Sequence, residues 1–216
     1  MIVVVGPPAW RSGEPGSPAG RTCEVALAAV EAGARAEIVG RIGDDPSGDA
    51  LLIALARRGV GHAATLRDPA RPTPVLHAAA GLDVGDEAVF AEPDPLHPAS
   101  RATDGPRLQP ADVALGLQYL TAFAVLVVAD DAPLDVLRAC LDGAAFAGAS
   151  LVVLVAEGSE APAGLPAAAT VLEAPPADEG AFSRLVGRYA ARLDAGDDPA
   201  RAFAGALDEG WEAPVP

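Results

Sequence analysis

The chain opens on Ile2-Val3-Val4-Val5, an unbroken apolar β-branched run that stops at Gly6-Pro7-Pro8. Such a run predicts a strand buried on both faces that leaves its sheet into a loop. Residues 7 to 20 are rich in Pro, Gly and Ser and read as loop. From Arg21 to Ala32, Val25, Leu27, Ala28 and Val30 among strong helix formers predict a helix, with Gly33 where a C-terminal glycine belongs. Ala36 to Ile42 reads as a second strand. In Asp44-Asp45-Pro46-Ser47-Gly48-Asp49, Asp45 is placed to cap a helix whose first residue is Pro46, with Asp49 near the positive end of its dipole. That helix runs through Leu51, Leu52 and Leu55 to Arg57-Arg58, and Gly59 stops it.

The second half repeats the alternation. Thr73 to Ala80 and Glu87 to Glu92 bracket a Gly/Asp-rich turn and predict a β-hairpin, an excursion around 72–93. Residues 93 to 110 are Pro-rich and irregular. Val125 to Val128 and Leu151 to Val155 are continuous apolar runs of the parallel-strand kind, and Leu134, Val136, Leu137, Ala139 and Cys140 between them make a crossover helix. Thr170 to Leu172 predicts a further strand, and helices over 181–193 and 199–207 follow. The order predicts a three-layer α/β fold with a mainly parallel sheet, built as one domain over 1–216.

Composition narrows the chemistry. The 216 residues carry 15 basic against 30 acidic side chains, a formal net charge of -15, and every basic residue apart from histidine is Arg, with no Lys and no Asn. A lysine nucleophile, a lysine on a phosphate and an asparagine amide are therefore excluded. An acidic chain with scattered arginines lacks the basic face that nucleic acid needs, so no nucleic-acid partner is expected. No apolar run approaches the ~20 residues of a membrane helix, and no leader pattern precedes Ile2, so a cytoplasmic protein is expected. Cys23 and Cys140 are too few for a disulfide framework, and His62, His77 and His97 share no ligand spacing, so no metal site is predicted.

The run Glu37-Ile38-Val39-Gly40-Arg41-Ile42-Gly43-Asp44-Asp45-Pro46-Ser47-Gly48-Asp49, followed by a helix and Gly59-Val60, resembles the ribokinase or PfkB family of carbohydrate kinases. The opening strand ending at Gly6, Pro72-Thr73-Pro74-Val75, and Gln109-Pro110-Ala111-Asp112-Val113 ahead of Leu126-Val127-Val128 are similar to further family landmarks. The resemblance covers about the first 155 residues. It implies a ribokinase-like, Rossmann-like fold with the sugar-covering lid reduced or absent, because little chain separates the first strand from the first helix.

The resemblance also locates candidate site residues and departures. Arg11 stands where the family holds sugar hydroxyls with an aspartate. Ala19-Gly20-Arg21-Thr22-Cys23-Glu24 stands for the family's G-G-K-G-A-N type run, keeping Gly20 and placing Glu24 at the Asn position. Arg11, Gly20 and Glu24 are thus the implied substrate-binding residues, and Glu24 accepts hydrogen bonds but cannot donate them as an amide does. The family's G-A-G-D motif, at a helix N-terminus, supplies an anion hole and a base; the string closest to it is Asp194-Ala195-Gly196-Asp197, ahead of Ala202-Phe203. In one register Gly196 lines the anion hole and Asp197 is the catalytic base. In the other, Gly196 ends one helix and Asp198-Pro199 caps the next, a plain helix-turn-helix.

Structural readings stand beside the chemical ones. Helix capping accounts for Asp44, Asp45, Gly48 and Asp49, Cys23 reads as a small buried residue, and Trp10 and Trp211 as packing aromatics. Arg11 and Arg21 read as solvated loop arginines or as an anion site. The first functional reading is a degenerate family member without phosphotransferase activity, a pseudoenzyme keeping the scaffold and a small-ligand pocket for a sugar or nucleoside. The alternatives are a divergent sugar or nucleoside kinase using Asp197 as base with ATP and Mg²⁺, and an interaction module that forms a homodimer or binds a partner through the face exposed by lid loss. Outside the kinase reading no cofactor is called for.

Overall fold

The computed structural model describes residues 1–76, 105–175 and 180–208. Six strands form one parallel sheet in the order β5-β4-β1-β7-β8-β9: β1 (Ile2–Val5), β4 (Ala36–Gly43), β5 (Gly61–Asp68), β7 (Val125–Val128), β8 (Ser150–Ala156) and β9 (Thr170–Ala174). β1 is the centre of the register, with Val5 opposite Val39 of β4 on one side and Val128 of β7 on the other. Every residue of β1 and β7 is essentially without solvent contact. Their side chains alternate between two cores. Ile2 and Val4 point into one with α1 (Gly20–Glu31), α2 (Pro46–Arg57), α5 (Ala181–Asp194) and α6 (Pro199–Asp208), whereas Val3 and Val5 point into the other with α3 (Pro110–Tyr119) and α4 (Leu134–Ala147). This is why the runs are apolar without alternation: each position is worth roughly 1.5–3 kcal/mol of burial on whichever face it meets.

A second, three-stranded sheet, β3-β2-β6, comprises β2 (Ala9–Arg11), β3 (Ser17–Ala19) and β6 (Val75–Leu76). It corrects the reading of 7–20 as loop. β2 and β3 pair antiparallel through a tight Gly/Pro-rich connection, and pairs of three residues are too short to leave a periodic signal. β6 pairs parallel with β2, and the rest of the predicted hairpin lies outside the described residues. Two further elements were not predicted. β5 is an edge strand with only Ala64 fully buried, so it shows no apolar run. α3 begins where the stretch read as irregular ends, in residues for which no element was predicted. It is started by Pro110 and by reciprocal capping, the Asp112 carboxylate accepting from the Gln109 backbone N–H while the Gln109 side chain takes a first-turn N–H.

The predicted caps hold at α2. Asp45 Oδ1 accepts from Gly48 N at 2.8 Å and from Thr73 Oγ1 at 2.9 Å, and Oδ2 accepts from Thr73 N at 2.7 Å. The Thr73 hydroxyl accepts in turn from Gly43 N at 2.9 Å. A Cβ on Gly43 would stand 2.4 Å from Thr73 N, and one on Gly48 would stand 2.5 Å from the Gly43 carbonyl oxygen. Gly43 and Gly48 are therefore required by close backbone approach, and Asp45 ties α2 to the segment entering the small sheet.

Candidate functional site

In a parallel sheet all strands end on one edge. Here chain order reverses direction at the centre: β1, β4 and β5 proceed one way, β7, β8 and β9 the other. Open α/β sheets bind ligands outside the carboxyl ends of the strands at such a switch point. Between the ends of β1 and β7 lies a cavity of about 320 Å³, lined by Gly6 and Pro7, Val128 and Asp130–Pro133, Arg41, and residues 106–108. This is the lower end of the range for small-molecule pockets.

The α1 N-terminus stands beside this crevice. Gly20 opens the helix with φ +79° against Ala9, and Glu24 follows one turn on. Arg11, ending β2, places NH2 3.6 Å from Glu24 Oε1, and Arg21 NH1 is 3.5 Å from Asp130 Oδ1. Thr22 Oγ1 is buried against Gly6 and has no hydrogen-bond partner among the described residues. On the other flank Arg41 reaches Asp112 at 3.1 Å and Asp68 at 3.8 Å. The three residues implied as substrate-binding, Arg11, Gly20 and Glu24, therefore converge, and Arg21 joins them to the crevice.

Gly196 and Asp197 do not join them. α5 starts at Gly180, where a Cβ would lie 3.7 Å from Glu24 Oε2, and its 14 residues rise about 21 Å. It ends at the opposite edge, with Tyr189 bonded to Thr170 at the start of β9 and Asp194 against the Met1 amino group. Gly196 N donates to the Leu193 carbonyl and Asp197 N to that of Arg192, a helix-terminating turn with Gly196 at φ +96°. The Asp197 carboxylate lies 3.1 Å from Arg192 and 3.5 Å from Arg201. Asp198 Oδ1 caps α6 through Ala200 N and Arg201 N. The structure thus takes the helix-turn-helix register over 194–198, and it places Gly196 and Asp197 at the opposite edge of the sheet from Arg11, Gly20 and Glu24.

The helix that does begin at the site is α5, opened by Gly180-Ala181-Phe182. The signal existed in the sequence, because this Gly-Ala-Phe string competes directly with Ala202-Phe203 as the residues following the family motif. Asp130 and Asp131 were also overlooked, though polar residues immediately after a buried parallel strand mark its carboxyl end. Cys23 is fully buried and its thiol is pushed up to about 12 by that burial, which makes it a packing residue and no nucleophile at neutral pH. Asp44 and Asp49 pair with Arg67 at 3.0 and 2.5 Å, leaving the motif's carboxylates structurally engaged. Among the described residues no group of three or more His, Cys, Asp or Glu is placed to hold a metal ion.

No protein-family profile and no curated protein matches the sequence. Solved structures do match in shape. A candidate ribokinase II from E. coli in its apo form superposes with a TM-score of 0.66 at 14% identity, over 95% of this chain and 90% of that one. An apo fructokinase from Vibrio cholerae matches with a TM-score of 0.60 at 14% identity, over 95% and 94%. An uncharacterised sugar kinase from Pyrococcus horikoshii in complex with ATP matches with a TM-score of 0.52 at 12% identity, over 72% of this chain and 53% of its own. At these identities the likeness is one of architecture, and together with the strand order and the two helical layers it gives the chain a ribokinase-like α/β fold.

Proposed function

We propose that the chain is a degenerate relative of the ribokinase or PfkB carbohydrate kinases that lacks phosphotransferase activity and retains a small-ligand crevice at the β1/β7 switch point. The observation that carries this reading is the residue at the start of α5. A kinase of this family needs a carboxylate base at the helix N-terminus facing the sugar; among the described residues the α5 N-terminus carries Gly180, with Glu24 beside it and Asp197 a helix length away. Glu24 replaces a neutral amide by a carboxylate that accepts hydrogen bonds but cannot donate them, and Arg11 stands 3.6 Å from it. The described residues therefore do not fit ATP and Mg²⁺ as a working phosphoryl-transfer site, and no step is derived through them. The converging Arg11, Gly20 and Glu24 and the adjoining cavity support a retained ligand site.

The test is phosphoryl transfer by purified protein with ATP, magnesium and a panel of sugars and nucleosides, read by ADP release. No turnover above the protein-free rate is expected. Substrate-dependent turnover above that rate would overturn the reading in favour of a divergent kinase.

A further inference from the structure

The crevice has an electrical direction. β4 and β7 flank β1 on opposite sides, so Arg41, on β4, and Asp130 and Asp131, following β7, stand across Gly6 from one another. Arg107 and Leu108 precede α3, which packs over β4 and β5 and whose Asp112 pairs with Arg41; this places Arg107 with the cationic flank. Most of these charges already have partners inside the protein. Arg41 faces Asp112 and Asp68, and Asp130 faces Arg21. Two do not: among the described residues neither the Arg107 guanidinium nor the Asp131 carboxylate forms an ion pair, and both line the cavity. The same cavity is also lined by the apolar Val5, Pro7, Val128 and Val136.

One unpaired cation and one unpaired anion in a cavity with apolar lining match a ligand carrying the opposite arrangement. We propose that the crevice binds a small zwitterion, its carboxylate held by Arg107 and its ammonium by Asp131, with a short apolar body between them. A guanidinium presents a fork of N–H donors that a carboxylate accepts in pairs, and an ammonium donates to a carboxylate from any direction. A neutral sugar leaves both charges without counter-charges, and a phosphate compensates Arg107 while being repelled by Asp131 and Asp130. The cavity volume, at the low end for small ligands, suits an amino acid.

This inference rests on the reading that the crevice survives as a ligand site, and one experiment separates the two. Thermal unfolding and calorimetric titration of the full chain are run with the proteinogenic amino acids, β-alanine and γ-aminobutyrate, their N-acetyl and C-amide forms, inorganic phosphate, ribose, fructose and nucleosides. The expected result is dose-dependent stabilisation by one or more zwitterions, as ligand binding to the folded state requires. Blocking either end should weaken binding about tenfold or more, the loss of one charge-assisted contact. Arg107→Gln and Asp131→Asn should each weaken it by a similar factor, and Arg58→Gln, on the far end of α2, should leave it unchanged. Both test positions are exposed, so the variants keep their fold, verified by circular dichroism. Stabilisation by a neutral sugar or nucleoside that is indifferent to Arg107→Gln would overturn the zwitterion and leave the ligand crevice standing. No response to any compound at millimolar concentration would overturn both.

Discussion

Asp45 receives three hydrogen bonds, from Gly48 N, Thr73 N and the Thr73 hydroxyl, and so serves both as helix cap and as clamp on buried Thr73. Burial acts to raise its pKa, but the hydrogen bonds from Thr73 and Gly48 outweigh it and hold the carboxyl below the usual aspartate range. The sign follows: a group depressed in the folded state adds stability that is fully present above its unfolded value and is lost as pH falls through that value and then the folded one. Asp45→Asn swaps one acceptor for a donor facing Thr73 N–H. It should cost about 1–3 kcal/mol at pH 7, a lost cap bond plus an unsatisfied buried donor. Urea unfolding at pH 7 and near pH 3 should show the gap from the parent chain narrowing in acid; a constant gap would assign the loss to shape alone. Asp45 as a cap was legible in the sequence because capping is local. Its bond to Thr73, 28 residues on, was not, since nothing in a linear string announces which backbone will pass a carboxylate.

The strands read most directly from sequence are those buried on both faces, because burial on two sides removes the need for alternation and leaves a bare apolar run. Val125–Val128 was legible to the residue. The edge strand β5 and the short strands β2 and β3 were not: their hydrogen bonds come from neighbours, and their side chains are mostly half-exposed. Helices α5 and α6 were predicted within a residue at either end from their amphipathic period, but their relation to the site depended on which end of α5 faces the crevice, a tertiary fact. α5 lies against α1 by close backbone approach. A Cβ on Gly187 would stand 2.5 Å from Ala28 Cβ and 2.7 Å from the Val25 carbonyl oxygen. Gly187→Ala gains about 1 kcal/mol of helix propensity, yet forces two helix backbones apart, an overpacking cost of about 1–3 kcal/mol. Net destabilisation is expected, whereas Gly143→Ala, which meets the movable end of the Leu117 side chain, should be near neutral or stabilising. Denaturant midpoints of the two variants decide it: equal midpoints would show that α5 has room to shift on α1.

At the scale of the molecule, the order β5-β4-β1-β7-β8-β9 creates the crevice, and no single residue announces it. The site was legible only where a family pattern could be laid on α1; the cavity walls at Arg41, Arg107 and Asp131 come from three separate stretches of chain that the sheet assembles. Charge acts on the same scale. With 30 acidic and 15 basic residues, half the carboxylates have no cation available to pair with. A chain of this length has a radius of gyration of about 17 Å. The Debye length is about 30 Å at 0.01 M salt and about 10 Å at 0.1 M. At the lower ionic strength the whole surface therefore repels itself, and at the higher one mostly neighbours do. Salt also screens the exposed pairs, such as Arg58 with Glu31 and Arg67 with Asp44, but each is worth only about 0–1 kcal/mol. Relief of the unpaired excess should win. Thermal unfolding at pH 7 should shift upward as NaCl is raised from 0.01 to 0.1 M, by about 2–4 °C for each 1 kcal/mol of repulsion removed. A downward shift would mean that the arginine pairs, few as they are, hold the fold more firmly than the excess charge strains it.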